Sequence, residues 1–182
     1  MTQFPVVAGE LVVGGHALSL LAARVGGTPF YAYDRSSLRA RVLELRAALP
    51  KAVKLHYAVK ANPMPALVGL IATWVDGIDV ASAGEMAVAL NAGATPRNIS
   101  FAGPGKRDAE LQQAVAAGVL VNVESARELP LLAQASQQLG LPARVAVRVN
   151  PEFELKSAGI KMGGGARPFG DRKSTRLNSS HW

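Results

Sequence analysis

Five short runs rich in branched apolar residues recur at nearly constant spacing through the middle of the chain. They begin near Lys54 (KLHYAVK), Gly77 (GIDVAS), Asn98 (NISFAG), Val119 (VLVNVES) and Ala143 (ARVAVRVN), at intervals of 23, 21, 21 and 24 residues. Between them lie Ala/Leu-rich stretches with helical spacing, 64–74, 84–92, 108–117 and 126–139. Pro63 and Asp108 suit helix starts, and Gly93, Gly118 and Gly140 suit helix ends. Strands alternating with helices across short loops specify βα units and a parallel sheet, so the fold class is α/β.

Two parallel architectures share this rhythm, a doubly wound sheet and a barrel. The strand faces separate them. In the fifth run Arg144, Ala146, Arg148 and Asn150 share one face, and Val145, Val147 and Val149 the other. In the first run His56, Ala58 and Lys60 oppose Leu55, Tyr57 and Val59. An apolar face suited to helices backs a small or polar one, as inside a barrel that carries chemistry. A doubly wound strand, covered on both faces, reads as near-continuous apolar. The expectation is a partial (β/α)8 barrel of about five of the eight βα units.

Upstream, Thr28–Asp34 (TPFYAYD) reads as a strand and Ser36–Leu49 as a helix capped by Asp34 or Ser36. Residues 1–35 are expected to form a β-rich arm, with the barrel portion over 36–170. The chain has 182 residues, no Cys and 49% apolar residues, which excludes a disulfide-stapled secreted domain and argues against disorder. The longest apolar stretch, Met64 to Val75, is broken by Pro65 and Gly69 and is too short to span a bilayer. Met1-Thr-Gln-Phe-Pro lacks the charged start and apolar run of a signal peptide, so the expected compartment is the cytoplasm, without membrane insertion. The net charge of +7 falls to +5 without residues 171–182, and no basic cluster with interleaved aromatics accompanies it. Nucleic acid is therefore not the expected partner.

Lys60 closes the first run in Tyr57-Ala-Val-Lys-Ala-Asn-Pro, where a barrel presents its working rim. On spacing alone the lysine either snorkels to solvent or offers its amine to a site. Asp79 and Arg148 fall near the ends of the second and fifth runs, on the inward face. Charges at inward positions are costly unless paired or bound to a ligand, so a shared polar site is expected, with Glu85 a further partner. Each has a plainer role open to it: Asp79 as a helix cap, Glu85 as a solvated helix residue, Arg148 as a structural pair. A lysine amine in such a place does covalent carbonyl chemistry when its surroundings favour the neutral form. Competing motifs fail. Gly103-Pro-Gly-Lys106 has Arg107 where a phosphate loop needs Ser or Thr, and Ser100 where it needs its first Gly. His16, His56 and His181 lack metal-ligand spacing, and no metal is expected.

These residues carry a resemblance. Tyr57-Ala-Val-Lys60-Ala-Asn-Pro, Asp79-Val-Ala-Ser-Ala-Gly-Glu85 and Arg148-Val-Asn-Pro151 resemble the N-terminal barrel of the fold-type III pyridoxal phosphate decarboxylases, the ornithine, diaminopimelate and arginine decarboxylase family. Its barrel is alanine racemase-like. Lys60-Ala-Asn-Pro-Met-Pro, Ser100-Phe-Ala-Gly-Pro-Gly-Lys106, Asn150-Pro-Glu-Phe-Glu-Leu-Lys156 and Lys161-Met-Gly-Gly-Gly165 are similar to its exosortase A system-associated subfamily. The resemblance runs from about Leu11 to Gly170. It implies pyridoxal 5′-phosphate as cofactor, held by Lys60 as an aldimine and displaced by the substrate amine. It places Ala58 against the cofactor, Asp79 beside the lysine, Arg148 holding the acidic residues in register, and Glu85 as a more distant support. The implied reaction is decarboxylation of a diaminopimelate- or ornithine-like amino acid, in a homodimer. A racemase of the same fold and a cofactor-binding regulatory protein without turnover are the alternatives.

The family pattern also includes a ring-stacking His, a Gly-rich phosphate loop, a Glu facing the pyridine nitrogen and a C-terminal β domain, none of which is read in these 182 residues. Residues 171–182 break from the resemblance, and Asp171–His181 reads as a translated short-read sequencing adapter. The expectation is an N-terminal fragment with a non-native tail, inactive by itself, aggregation-prone at its open sheet edges and a poor binder of the cofactor.

Overall fold

The computed structural model describes residues 4–149. The motifs from Asn150 to Gly165 and the 171–182 tail lie outside the described residues. The chain divides into two compact units, Met1–Val53 and Lys54–Trp182.

The first unit opens with three short antiparallel strands in the order β1 (Val6–Val7), β2 (Glu10–Val13) and β3 (His16–Ala17). Helix α1 (Leu18–Val25) follows directly and ends at Gly26 in the left-handed conformation. The sequence reading did not place this helix. Helix α2 (Arg35–Ala48) groups with the strands of this unit. Its cap is Asp34, whose Oδ1 accepts the Ser36 N–H at 2.8 Å while its two oxygens also accept the Ser36 and Ser37 hydroxyls. These bonds hold the Asp34 carboxyl below the usual carboxylate range. The strand expected over Thr28–Asp34 is not formed. Tyr31 is almost fully exposed, and among the described residues no neighbouring strand supplies the ladder that alternating aromatics need to become a strand.

In the second unit the five apolar runs form one parallel sheet in sequence order: β4 (His56–Ala58), β5 (Gly77–Val80), β6 (Ile99–Phe101), β7 (Leu120–Val123) and β8 (Arg144–Val147). Helices α3 (Pro65–Ala72), α4 (Ala83–Asn91), α5 (Asp108–Ala117) and α6 (Glu128–Leu139) connect them. Among the described residues the strand order runs without reversal, so these strands contain no switch point of a doubly wound sheet; this is part of an α/β barrel. Gly118 and Gly140 end α5 and α6 in the left-handed conformation with φ of 72° and 63°. Residues with a Cβ adopt this conformation only at a cost.

Strand alternation sorts the two faces. Ile78, Val80, Ile99, Phe101, Val121 and Val123 point to the helices and are buried with Val68, Met86, Leu111, Val115 and Leu132 in one core. The opposite positions carry Ala58, Asp79, Ser100 and Asn122. At β8 the expected apolar face, Val145 and Val147, is present but open. The core draws on β5, β6 and β7 and on no residue of β8. Lys60 also departs from expectation, because the first strand stops at Ala58 and Val59–Ala61 forms a 3-10 turn. The Tyr57 hydroxyl donates to the Asn62 carbonyl at 3.0 Å, and Asn62 Oδ1 accepts the Met64 N–H, closing a turn around Pro63.

Candidate active site

A cleft of about 410 Å3 opens on the polar face of the sheet, at the C-terminal ends of its strands. Ala58, Lys60, Asp79 and Arg148, the residues singled out in the sequence, all line it, and so does Glu85. The ladder explains the gathering. Ala58 pairs with Asp79, and Asp79 with Ser100, so residues far apart in sequence stand side by side. Lys60 leaves the end of β4 from the 3-10 turn, whose buried Val59 anchors it to the core. Its side chain is exposed in the cleft, and among the described residues its amine has no hydrogen-bond or salt-bridge partner.

Asp79 is not the cap of the following helix. That role belongs to Ser82, whose Oγ accepts the Glu85 N–H at 3.2 Å, while Glu85 Oε2 accepts the Ala81 N–H at 2.8 Å. Asp79 instead faces His56, with Oδ1 3.0 Å from Nδ1. The imidazole lies over Gly77, where a Cβ would stand 2.5 Å from its Cε1. The sequence reading put His56 on the correct face but gave it no partner. The inward alternation that marked Asp79 also marks Ser100 and Asn122, which were passed over. Asn122 Nδ2 donates to Ser100 Oγ at 2.7 Å, building a polar floor across β6 and β7.

Arg148 is both paired and part of the cleft. Its Nη1 donates to Glu124 Oε1 at 2.9 Å, and its backbone N–H donates to the Val123 carbonyl, extending the β7–β8 ladder. Glu124, Glu128 and Lys106 are buried behind it. Lys106, rejected above as a phosphate-loop lysine, turns back to donate to the Gly103 carbonyl at 2.6 Å and faces Glu128 at 3.1 Å. On the opposite flank Glu110 ties together the starts of α4 and α5, accepting the N–H groups of Ala83 at 2.9 Å and Arg107 at 3.1 Å. The Arg107 guanidinium, then the Ala83 N–H, lower the Glu110 carboxyl from 4.5 to about 2. Among the described residues no cluster of three or more His, Cys, Asp or Glu is placed to hold a metal, and no helix is long and apolar enough to cross a membrane.

An exposed amine thus shares one cleft with a carboxylate and a guanidinium at the strand ends of a partial parallel barrel. Residues 35–177 match the family described as the pyridoxal-dependent decarboxylases, over their pyridoxal-binding domain. The chain belongs to this family. The match continues past Asp171, into the stretch read above as adapter-derived. The chain is 42% identical over 150 residues to diaminopimelate decarboxylase of Aquifex aeolicus, covering 82% of this chain and 35% of the relative. It is 41% identical over 144 residues to L-glutamyl-[BtrI acyl-carrier protein] decarboxylase of Niallia circulans, covering 79% of this chain and 34% of that one. The crystal structure of diaminopimelate decarboxylase from M. jannaschi superimposes with a TM-score of 0.81 at 27% identity, over 96% of this chain and 42% of that one. The chain thus spans about a third of the length of the curated relatives it matches.

Proposed function

We propose that this chain is the cofactor-binding portion of a pyridoxal 5′-phosphate-dependent amino-acid decarboxylase, acting in the cytoplasm as a homodimer on a diaminopimelate- or ornithine-like substrate. The observation that carries the proposal is the single cleft that Lys60 shares with Asp79 and Arg148, at the strand ends of a pyridoxal-binding domain. The donor set fits the aldehyde side of the cofactor. Lys60 offers an exposed primary amine for covalent attachment, and Ala58 in the adjoining strand leaves room for a flat ring. When bound, the cofactor supplies an electron sink for the pair left on the α-carbon as carbon dioxide departs. The chain's own residues orient and balance charge. Asp79, fixed by His56, sets a negative charge on the wall shared with Lys60, and Arg148 sets a positive one across the sheet. The Asn122–Ser100 pair gives the floor hydrogen-bonding capacity between them.

The family match favours decarboxylation over racemisation and over a regulatory protein without turnover. A second substrate reading rests on the Niallia circulans relative, whose name specifies a glutamyl group carried on an acyl-carrier protein. The test uses the full-length gene product. It is loaded with pyridoxal 5′-phosphate, reduced with borohydride and mapped by mass spectrometry. Carbon dioxide release is then followed with meso-diaminopimelate, ornithine and a glutamyl-carrier conjugate. The label is expected on Lys60, and Lys60→Ala is expected to abolish turnover rather than raise KM, because it removes the attachment point. A label on Lys54 or Lys106 refutes the assignment. Exchange of the α-proton without carbon dioxide release makes the protein a racemase, and cofactor capture without either makes it a binding protein.

A further inference from the structure

Four charged side chains from four segments meet behind the cleft wall, and the reaction outlined above uses only one of them. Lys106 comes from the loop after β6, Glu124 from the end of β7, Glu128 from the first position of α6 and Arg148 from the end of β8. The side chains of Lys106, Glu124 and Glu128 are 0%, 1% and 2% exposed, and that of Arg148 is 28% exposed. Two carboxylates meet two cations, so the formal charges balance only when the partly exposed Arg148 is counted with the three buried groups.

The contacts are not equivalent. Glu128 is fully engaged: Oε1 lies 3.1 Å from Lys106 Nζ, and Oε2 accepts the Glu124 N–H at 3.0 Å. Glu124 is divided. Its Oε1 accepts from Arg148 Nη1 at 2.9 Å, while Oε2 makes no hydrogen bond and lies 3.7 Å from Lys106 Nζ. Glu124 is thus clamped at its backbone by Glu128 and drawn on one side by Lys106. It presents its other oxygen to Arg148.

Buried ion pairs are weak evidence for stability, because desolvation offsets much of the attraction; fixing one geometry is their better-attested use. Here the geometry has one outlet. Of the four residues, Arg148 alone lines the cleft. We infer that Glu124 is a positioning residue that fixes the Arg148 guanidinium on the cleft wall, with Lys106 and Glu128 holding Glu124 in place. The consequence for cofactor binding rests on the function proposed above; the positioning itself does not.

The test uses the full-length gene product with Glu124→Gln, which keeps the shape and removes the charge, and has two readouts. The first needs no cofactor. Phenylglyoxal modification of Arg148, mapped by mass spectrometry against the exposed Arg24, is expected to quicken at least fivefold in Glu124→Gln. An unchanged ratio overturns the inference. The second readout is a double-mutant cycle on pyridoxal 5′-phosphate affinity with Arg148→Lys. Glu124→Gln is expected to weaken binding about tenfold alone and less than twofold in the Arg148→Lys background. Equal losses in both backgrounds assign Glu124 to general stability and overturn the inference. If Glu124→Gln does not fold, Glu124→Met takes its place, since an apolar side chain of similar volume carries no charge to compensate. Failure of both to fold also overturns it. If the parent protein captures no cofactor, the functional reading falls, and the Arg148 modification rate still decides the positioning.

Discussion

Gly77 begins β5 directly beneath the His56 imidazole, and replacing it with alanine tests how tightly the start of β5 is packed against the ring that holds Asp79. Its φ lies outside the left-handed region, so backbone strain does not enter and the effect is steric. A Cβ there would stand 2.5 Å from His56 Cε1, 2.6 Å from Nε2 and 2.7 Å from the Asn98 carbonyl oxygen. Comfortable carbon contacts lie near ~3.5–4.0 Å. The ring can swing away, but only by giving up its 3.0 Å contact with Asp79. The Asn98 carbonyl is backbone and immediately precedes Ile99, which pairs with Ile78, so relief there disturbs the β5–β6 ladder. Overpacking of this kind costs about 1–3 kcal/mol. Reduced freedom of the unfolded chain returns about 0.4–1 kcal/mol. A net loss of about 1–2 kcal/mol lowers Tm by about 2–8 °C for a domain of this size. Thermal and urea unfolding of Gly77→Ala measure it. In a His56→Ala background the ring clash is gone and the Asn98 clash remains, so the cost should shrink without vanishing. A Gly77→Ala protein as stable as the parent, or a cost independent of His56, refutes the packing argument.

Asp79→Ala should separate function from stability. The His56–Asp79 pair is partly exposed, and such pairs contribute about 0–1 kcal/mol, so Tm should move little while the turnover proposed for the full-length gene product falls at least tenfold; normal turnover would reduce Asp79 to a surface partner of His56. Glu110 should govern part of the acid response. Its folded pKa, about 2, lies below the ordinary 4.5, so its contribution is complete above about pH 4.5 and is lost as pH falls toward 2. Glu110→Gln should therefore lower stability at neutral pH and flatten the loss between those limits in urea titrations. A parallel downward shift of the whole pH profile would show that the Glu110 charge is not the cause.

What was legible in the chain follows from the range of each signal. The period of the strands, the alternation of their faces and the glycines after α5 and α6 are local, and these placed the barrel and set Ala58, Asp79 and Arg148 on one wall. Helix α1 escaped because its apolar residues run on from a strand-like segment without a capping side chain. Thr28–Asp34 misled for the opposite reason: its composition suits a strand, but a strand exists only where another supplies its hydrogen bonds. The buried charges were hidden more deeply. Lys106 and Glu128 look in sequence like any solvated lysine and helix-start glutamate, and their burial arises only when the loop after β6 folds back on the start of α6.

That pattern bears on how the site is held. The cleft residues come from strand ends, and the groups that orient them come from neighbouring strands and turns. His56 holds Asp79 from the neighbouring strand, Glu85 and Ser82 fix the turn after β5, and Glu124 holds Arg148 from β7. Parallel strands bring these supports within reach because each βα unit delivers its last inward residue to the same rim. In the function proposed above the Lys60 amine stays exposed for the cofactor and gains nothing from a fixed partner of its own. Its neighbours are the groups that need holding, and two of their supports, His56 and Glu124, lie outside the quoted motifs. Substitutions at His56, Glu124 or Lys106 should therefore change the site while leaving Lys60 and its flanking sequence intact.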